Sequence, residues 1–202
     1  MLHWNPSPPS NGRRQRCRSI GAVGVAFVAL IGAAGARAAG GDYVIAGGTA
    51  PERSQVRAAL NTSAFDWSLV PEQITITVAR DVSTESTPGE ITVDSGLLDS
   101  GRFAWGFIQH EYAHQVDFFL LDPQVRAMFL DRLGGTTWIP SAGQTVPFRQ
   151  IGAERFASLL SWAYWPSADN ADDTFRWGTR NPAGMVTTPS LFRELLTQTL
   201  DQ

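Results

Sequence analysis

The chain has 202 residues, 16 basic against 19 acidic side chains for a formal net charge of −3, and a single cysteine. That length holds one domain with a real core and not two comfortable ones, and one cysteine excludes a disulfide framework. The acidic balance also excludes the basic stripe that nucleic-acid binding requires.

Residues 1–19 are polar and basic, with Arg13, Arg14, Arg16 and Arg18, and the run IGAVGVAFVALIGAAGA from Ile20 to Ala36 carries no charge. Ala36-Arg37-Ala38 then sets small residues at the two positions a signal peptidase reads, so a secretory signal peptide over residues 1–38 is expected. The apolar run lies at the short end of what spans a bilayer, which leaves an uncleaved membrane anchor as the alternative. The arginine pair raises the twin-arginine export route, although the hydrophobic residues that should follow it closely are missing. Either way residues 39–202 form a single domain expected to be secreted or extracytoplasmic. Cleavage would remove Cys17 and five arginines but no acid, taking the charge from −3 to −8. Every basic residue is arginine.

After a Gly-rich lead-in containing YVIA as a short strand, Pro51 reads as the first turn of a helix running to about Thr62. EQITITVAR alternates Ile74, Ile76 and Val78 with polar neighbours and predicts a strand buried on one face. DVSTESTPG reads as a turn-rich loop, EITVD as a second short strand and SGLLDSG as a polar connection. Residues 102–120 are apolar nearly all round, the mark of a helix in the middle of the domain. A helix from Pro123 should stop at Gly134-Gly135. An irregular stretch to Phe148 leads into another apolar helix, QIGAERFASLLSWAYW, ended by Pro166. An acidic loop, SADNADD, precedes an amphipathic helix from about Ser190 to Leu200.

The buried helix contains HEYAH, with His110 and His114 four positions apart and Glu111 beside the first. Positions i and i+4 share a helix face, so both imidazoles can reach one ion. Glu111 is rotated by about 100° from His110, off the metal but near a water bound to it. Zinc suits neutral imidazoles and leaves a coordination position open to water. It lowers the pKa of that water to about 7, and a nearby carboxylate can take the proton as the water attacks a carbonyl. Two imidazoles and a carboxylate in a helix of Phe, Trp and Ile are costly unless something pairs with them.

HEYAH resembles the HExxH motif of zinc metallopeptidases, the zincins. The resemblance implies an α+β fold with a small twisted sheet, an edge strand lining the substrate cleft, an active-site helix beneath it and a further zinc ligand downstream, followed by a mainly helical C-terminal part. In metzincins the third ligand is a His six residues after the second, with a Gly at the third; Leu120 and Asp117 stand at those positions, so that pattern fails. In gluzincins it is a Glu on a later helix, which fits Glu154, 40 residues after His114 with small neighbours Gly152, Ala153, Ala157 and Ser158. Gluzincins often carry an Asp four residues after that Glu to orient a histidine, and here Ser158 occupies the position. Asp117 could orient His114 instead, or serve as a rival third ligand.

The resemblance thus implies a peptidase of gluzincin type holding one Zn²⁺ by His110, His114 and Glu154. Glu111 would be general base to a zinc-bound water, and the edge strand near GEITVD would pair with an extended peptide. Tyr164, Arg176 and Arg180 are candidates to stabilise the oxyanion. A peptide or protein substrate, no nucleic acid and a monomeric chain are expected, with a membrane as partner only if the N-terminal apolar segment stays uncleaved. Two other readings stay open: a non-catalytic extracytoplasmic domain stapled by zinc, and an amide or cell-wall hydrolase using the same chemistry.

Overall fold

Capping sets the first helix of the computed structural model, which describes residues 41–170 and 188–201. Thr49 accepts from the Glu52 amide while Glu52 Oε2 accepts from the Thr49 amide at 2.6 Å, a capping box that starts α1 (Ala50–Thr62) one residue before Pro51. The expected signal peptide, Cys17, Arg176, Arg180 and the end of the acidic loop lie outside the described residues.

Among the described residues the fold is α+β, a four-stranded open sheet with six α-helices. Strand β1 (Tyr43–Gly47) runs parallel to β2 (Ile74–Ala79), and β2 parallel to β4 (Glu90–Asp94). A further strand, β3 (Glu85–Thr87), pairs antiparallel with β4 and gives the order β1-β2-β4-β3. Ile74, Ile76 and Val78 are buried as their alternation requires.

Three expectations are corrected here. DVSTESTPG is not wholly loop, since Glu85–Thr87 form β3, joined to β4 by a tight turn at Gly89 (φ +84°). The strand is polar because it lies at the sheet edge, so it has no apolar alternation to detect. GEITVD is accordingly not the edge: β4 has partners on both sides, and its backbone cannot accept an added strand. SGLLDSG likewise contains a helical turn, α2 (Ser95–Leu98), capped by Asp94 Oδ1 on the Gly96 amide at 3.1 Å.

The helix predicted over residues 102–120 is α3 (Phe103–Leu120), buried from Ile108 through Asp117. Its Gln115 is fully buried and joins it to the hairpin: Oε1 accepts from the Gly89 amide at 2.9 Å, and Nε2 donates to Thr87 O at 2.9 Å and Glu90 O at 3.3 Å. One side chain therefore seats β3 on α3. Helix α4 (Pro123–Leu133) is capped by Asp122 and ended by Gly134 in the left-handed region (φ +72°).

Helix α5 (Gly152–Tyr164) packs along α3, where Ser161 Oγ donates to Gly106 O at 3.0 Å. Such closeness needs the small residues both helices place at the contact. Helix α6 (Pro189–Leu200) completes the core through Phe192, which with Phe129 and Phe156 forms a buried ring cluster at centroid distances of 5.1 to 6.0 Å. Among the described residues no helix is long and apolar enough to cross a membrane.

Candidate metal centre

His110 and His114, one turn apart on α3, bring their Nε2 atoms to 3.2 Å. Glu154 enters from the first turn of α5 and sets Oε2 3.1 Å from His110 Nε2 and 3.4 Å from His114 Nε2. A tetrahedral zinc with bonds of about 2.0–2.1 Å to nitrogen and oxygen separates its ligand atoms by about 3.3 Å. The triangle of 3.1, 3.2 and 3.4 Å edges fits one face of such a tetrahedron. Among the described residues these three side chains form the one group of this kind.

The His110 ring is fixed from its other nitrogen, Nδ1, which lies 2.9 Å from Ser158 Oγ. Ser158, fully buried one turn after Glu154, thus occupies the place of the missing Asp and still meets a histidine. With an ion bound, Nδ1–H donation to that oxygen would leave the Nε2 lone pair to face the ion. Outside the triad, Phe148 stacks on His110 (6.1 Å, 19°) and Phe118 on His114 (6.2 Å, 25°).

Glu111 stands apart from the triangle with 9 % of its surface exposed. Ser86, the middle residue of β3, places its hydroxyl 2.9 Å from Glu111 Oε2 and 2.7 Å from Glu111 O. Burial pushes the Glu111 carboxyl above the ordinary carboxylate range, against the opposing pull of His110, His114 and the Ser86 hydroxyl. Burial acts on Glu154 in the same sense, but hydrogen bonds from His110 and His114 and their charge outweigh it and hold that carboxyl down at about 2. The two acids are driven apart, Glu154 downward and Glu111 upward.

These four residues line a cleft of about 950 Å³ whose walls include Leu97, Phe107, Ile139 and Phe148, with Thr84, Glu85 and Ser86 of the edge strand region along one side. Its lining is mostly apolar around a few convergent polar groups, the usual make-up of a small-molecule or peptide site.

Two sequence expectations place other residues elsewhere. Asp117 is neither a ligand nor a partner of His114: its carboxylate takes Arg126 Nε at 2.7 Å and Trp138 Nε1 at 3.0 Å. It shares a helix face with His114, but a fully buried acid is drawn to the strongest donors in reach, and those come from α4 and the segment after it. Tyr164 sits at the far end of α5 with its ring 5.0 Å from Phe65 and does not line the cleft. Among the described residues lining the cleft there is no tyrosine or arginine. Sequence reasoning missed Ser86 and Trp138; the first lies in a polar stretch without pattern, whereas Trp138 could have been sought as the donor a buried Asp117 demands.

Comparison with protein-family models, with curated proteins and with solved structures finds no match to this chain. Its described residues hold an α+β fold with His110, His114 and Glu154 at metal-binding distance in an open cleft.

Proposed function

We propose that the chain is a zinc-dependent peptidase of the zincin type, gluzincin-like in its ligand set, acting outside the cytoplasm. The observation that carries this reading is the triangle of His110 Nε2, His114 Nε2 and Glu154 Oε2 at 3.1 to 3.4 Å, open to a cleft that also holds Glu111. Zinc fits the donor set, two imidazoles and a carboxylate, better than the harder cations, which favour all-oxygen sites. When bound it would polarise a carbonyl and acidify a water molecule.

The protein's own part follows from its contacts. His110 and Glu154 are held by Ser158 and by α5, and Glu111 by the Ser86 hydroxyl, so the base keeps one orientation toward the cleft. Its carboxylate, whose proton affinity burial raises, is suited to take a proton from the attacking water and pass it to the leaving amine. The side of β3 not paired with β4 offers backbone groups to an extended peptide, and the apolar walls of the cleft offer surface to its side chains.

A closed structural zinc site uses four protein ligands. Three converge here among the described residues, which favours the catalytic reading over a zinc-stapled binding domain. Glu111→Gln is the test: retained zinc with hydrolysis of a peptide library lost supports the proposal, and undiminished hydrolysis overturns the role of Glu111.

A further inference from the structure

Trp138 stands between the two helices that carry the triad. Its indole Nε1–H donates to both Asp117 oxygens, at 3.2 Å to Oδ1 and 3.0 Å to Oδ2, and Asp117 lies on α3 three residues beyond His114. Arg126 of α4 fixes the same residue, with Nε 2.7 Å from Oδ1 and Nη2 2.8 Å from the main-chain oxygen. The carboxylate is fully buried, so both donors are needed to offset its desolvation.

The main chain around Trp138 holds the start of α5. Trp138 O accepts from the Ala153 amide at 3.1 Å, and Thr137 O from the Gly152 amide at 2.7 Å. These are among the amides that a helix leaves without partners at its N-terminus, and α5 has no side-chain cap. The indole also rests against Gly152, where an added Cβ would come within 2.6 Å of Trp138 Cε3. One residue therefore ties the histidine helix to the two residues immediately before Glu154.

We infer that Trp138, anchored by Asp117, is a positioning residue for the metal centre: it sets the first turn of α5 so that Glu154 meets the histidine pair. The inference rests on the metal reading above. Glu154 lies in the first turn, the part of a helix most prone to fray, and its ligand atom has little tolerance for displacement. Asp117 then matters to the ion through Trp138 and α5, without touching it or His114.

The test is the zinc affinity of the full chain stripped with chelator, read by competition against a chromophoric chelator. Trp138→Phe, which keeps a ring and removes the donor, is expected to weaken zinc binding about tenfold, as loss of ligand-orienting partners does. The same substitution in a Glu154→Gln background should cost less than about twofold, while in a His114→Ala background it keeps its tenfold cost; such a cycle isolates coupling to one ligand. Gly152→Ala, which pushes the same ring from the other side, should repeat the pattern. Asp117→Asn provides the same reading if Trp138→Phe fails to fold.

An equal loss in the Glu154→Gln background, or none in the otherwise unaltered chain, overturns the positioning role and leaves the metal centre standing. If the unaltered chain binds no zinc, the metal reading fails and this inference with it.

Discussion

Ser158 Oγ lies 2.9 Å from His110 Nδ1, on the opposite edge of the imidazole from Glu154 Oε2, so two residues one turn apart on α5 grip one histidine of α3 by both its nitrogens. Removing the serine frees the ring to rotate and lets the other tautomer compete for the lone pair. Ser158→Ala is expected to weaken zinc affinity about tenfold. Titration of the stripped chain checks it, and an unchanged constant would show that the ring is held by packing alone.

Under the proposed function, Ser86 bears on the proton-transfer step and not on the metal. Its hydroxyl meets Glu111 at 2.9 Å and no member of the triad. Ser86→Ala should leave the zinc constant unchanged while kcat falls by about tenfold, a part of the roughly 10²–10⁴ that a well-placed acid–base group supplies. Steady-state kinetics beside a zinc titration separate the two effects.

Gln115 links stability to the cleft. It makes three hydrogen bonds to the β3–β4 hairpin from inside the core. Gln115→Leu strands those backbone groups, and about 1–3 kcal/mol of stability should be lost for a buried group left without its partner. Denaturant unfolding measures the loss. Because the same bonds seat β3 beside Glu111, KM for an extended peptide should rise as well.

Metal removal should destabilise the whole fold. A ligand at a hundred times its Kd stabilises by about 2.7 kcal/mol, so chelation should lower Tm by several degrees. The shift should shrink in Glu154→Gln, where one arm of the triad is weakened and His110 and His114 remain. Calorimetry of both chains with and without chelator checks this.

What the residues disclosed and what they hid follow one physical division. The HEYAH spacing, the buried helix around it and an acid inside a second apolar helix are local patterns, and the structure brings His110, His114 and Glu154 together. The α+β class was implied by the zincin resemblance, while local signals, the Ile74-Ile76-Val78 alternation and the Pro and Gly helix limits at Pro51, Pro123 and Gly134, marked individual elements.

Sheet order did not, because an edge strand such as Glu85–Thr87 needs no apolar pattern and takes its pairing from elsewhere in the chain. The same holds for Asp117. Helical spacing put it near His114, but the choice of partner was decided by Arg126 and Trp138, which reach it only after the chain has turned back. Ser158 was visible as a departure from the Asp common in gluzincins, and its hydroxyl meets one histidine of the pair, His110.

The most direct measurement is a zinc titration of the chelator-stripped chain with peptide hydrolysis followed in the same samples. One equivalent bound per chain, with hydrolysis rising in step and reaching its limit at that equivalent, is the predicted result. A chain that takes up no zinc, or that hydrolyses peptides equally well without it, would contradict the account.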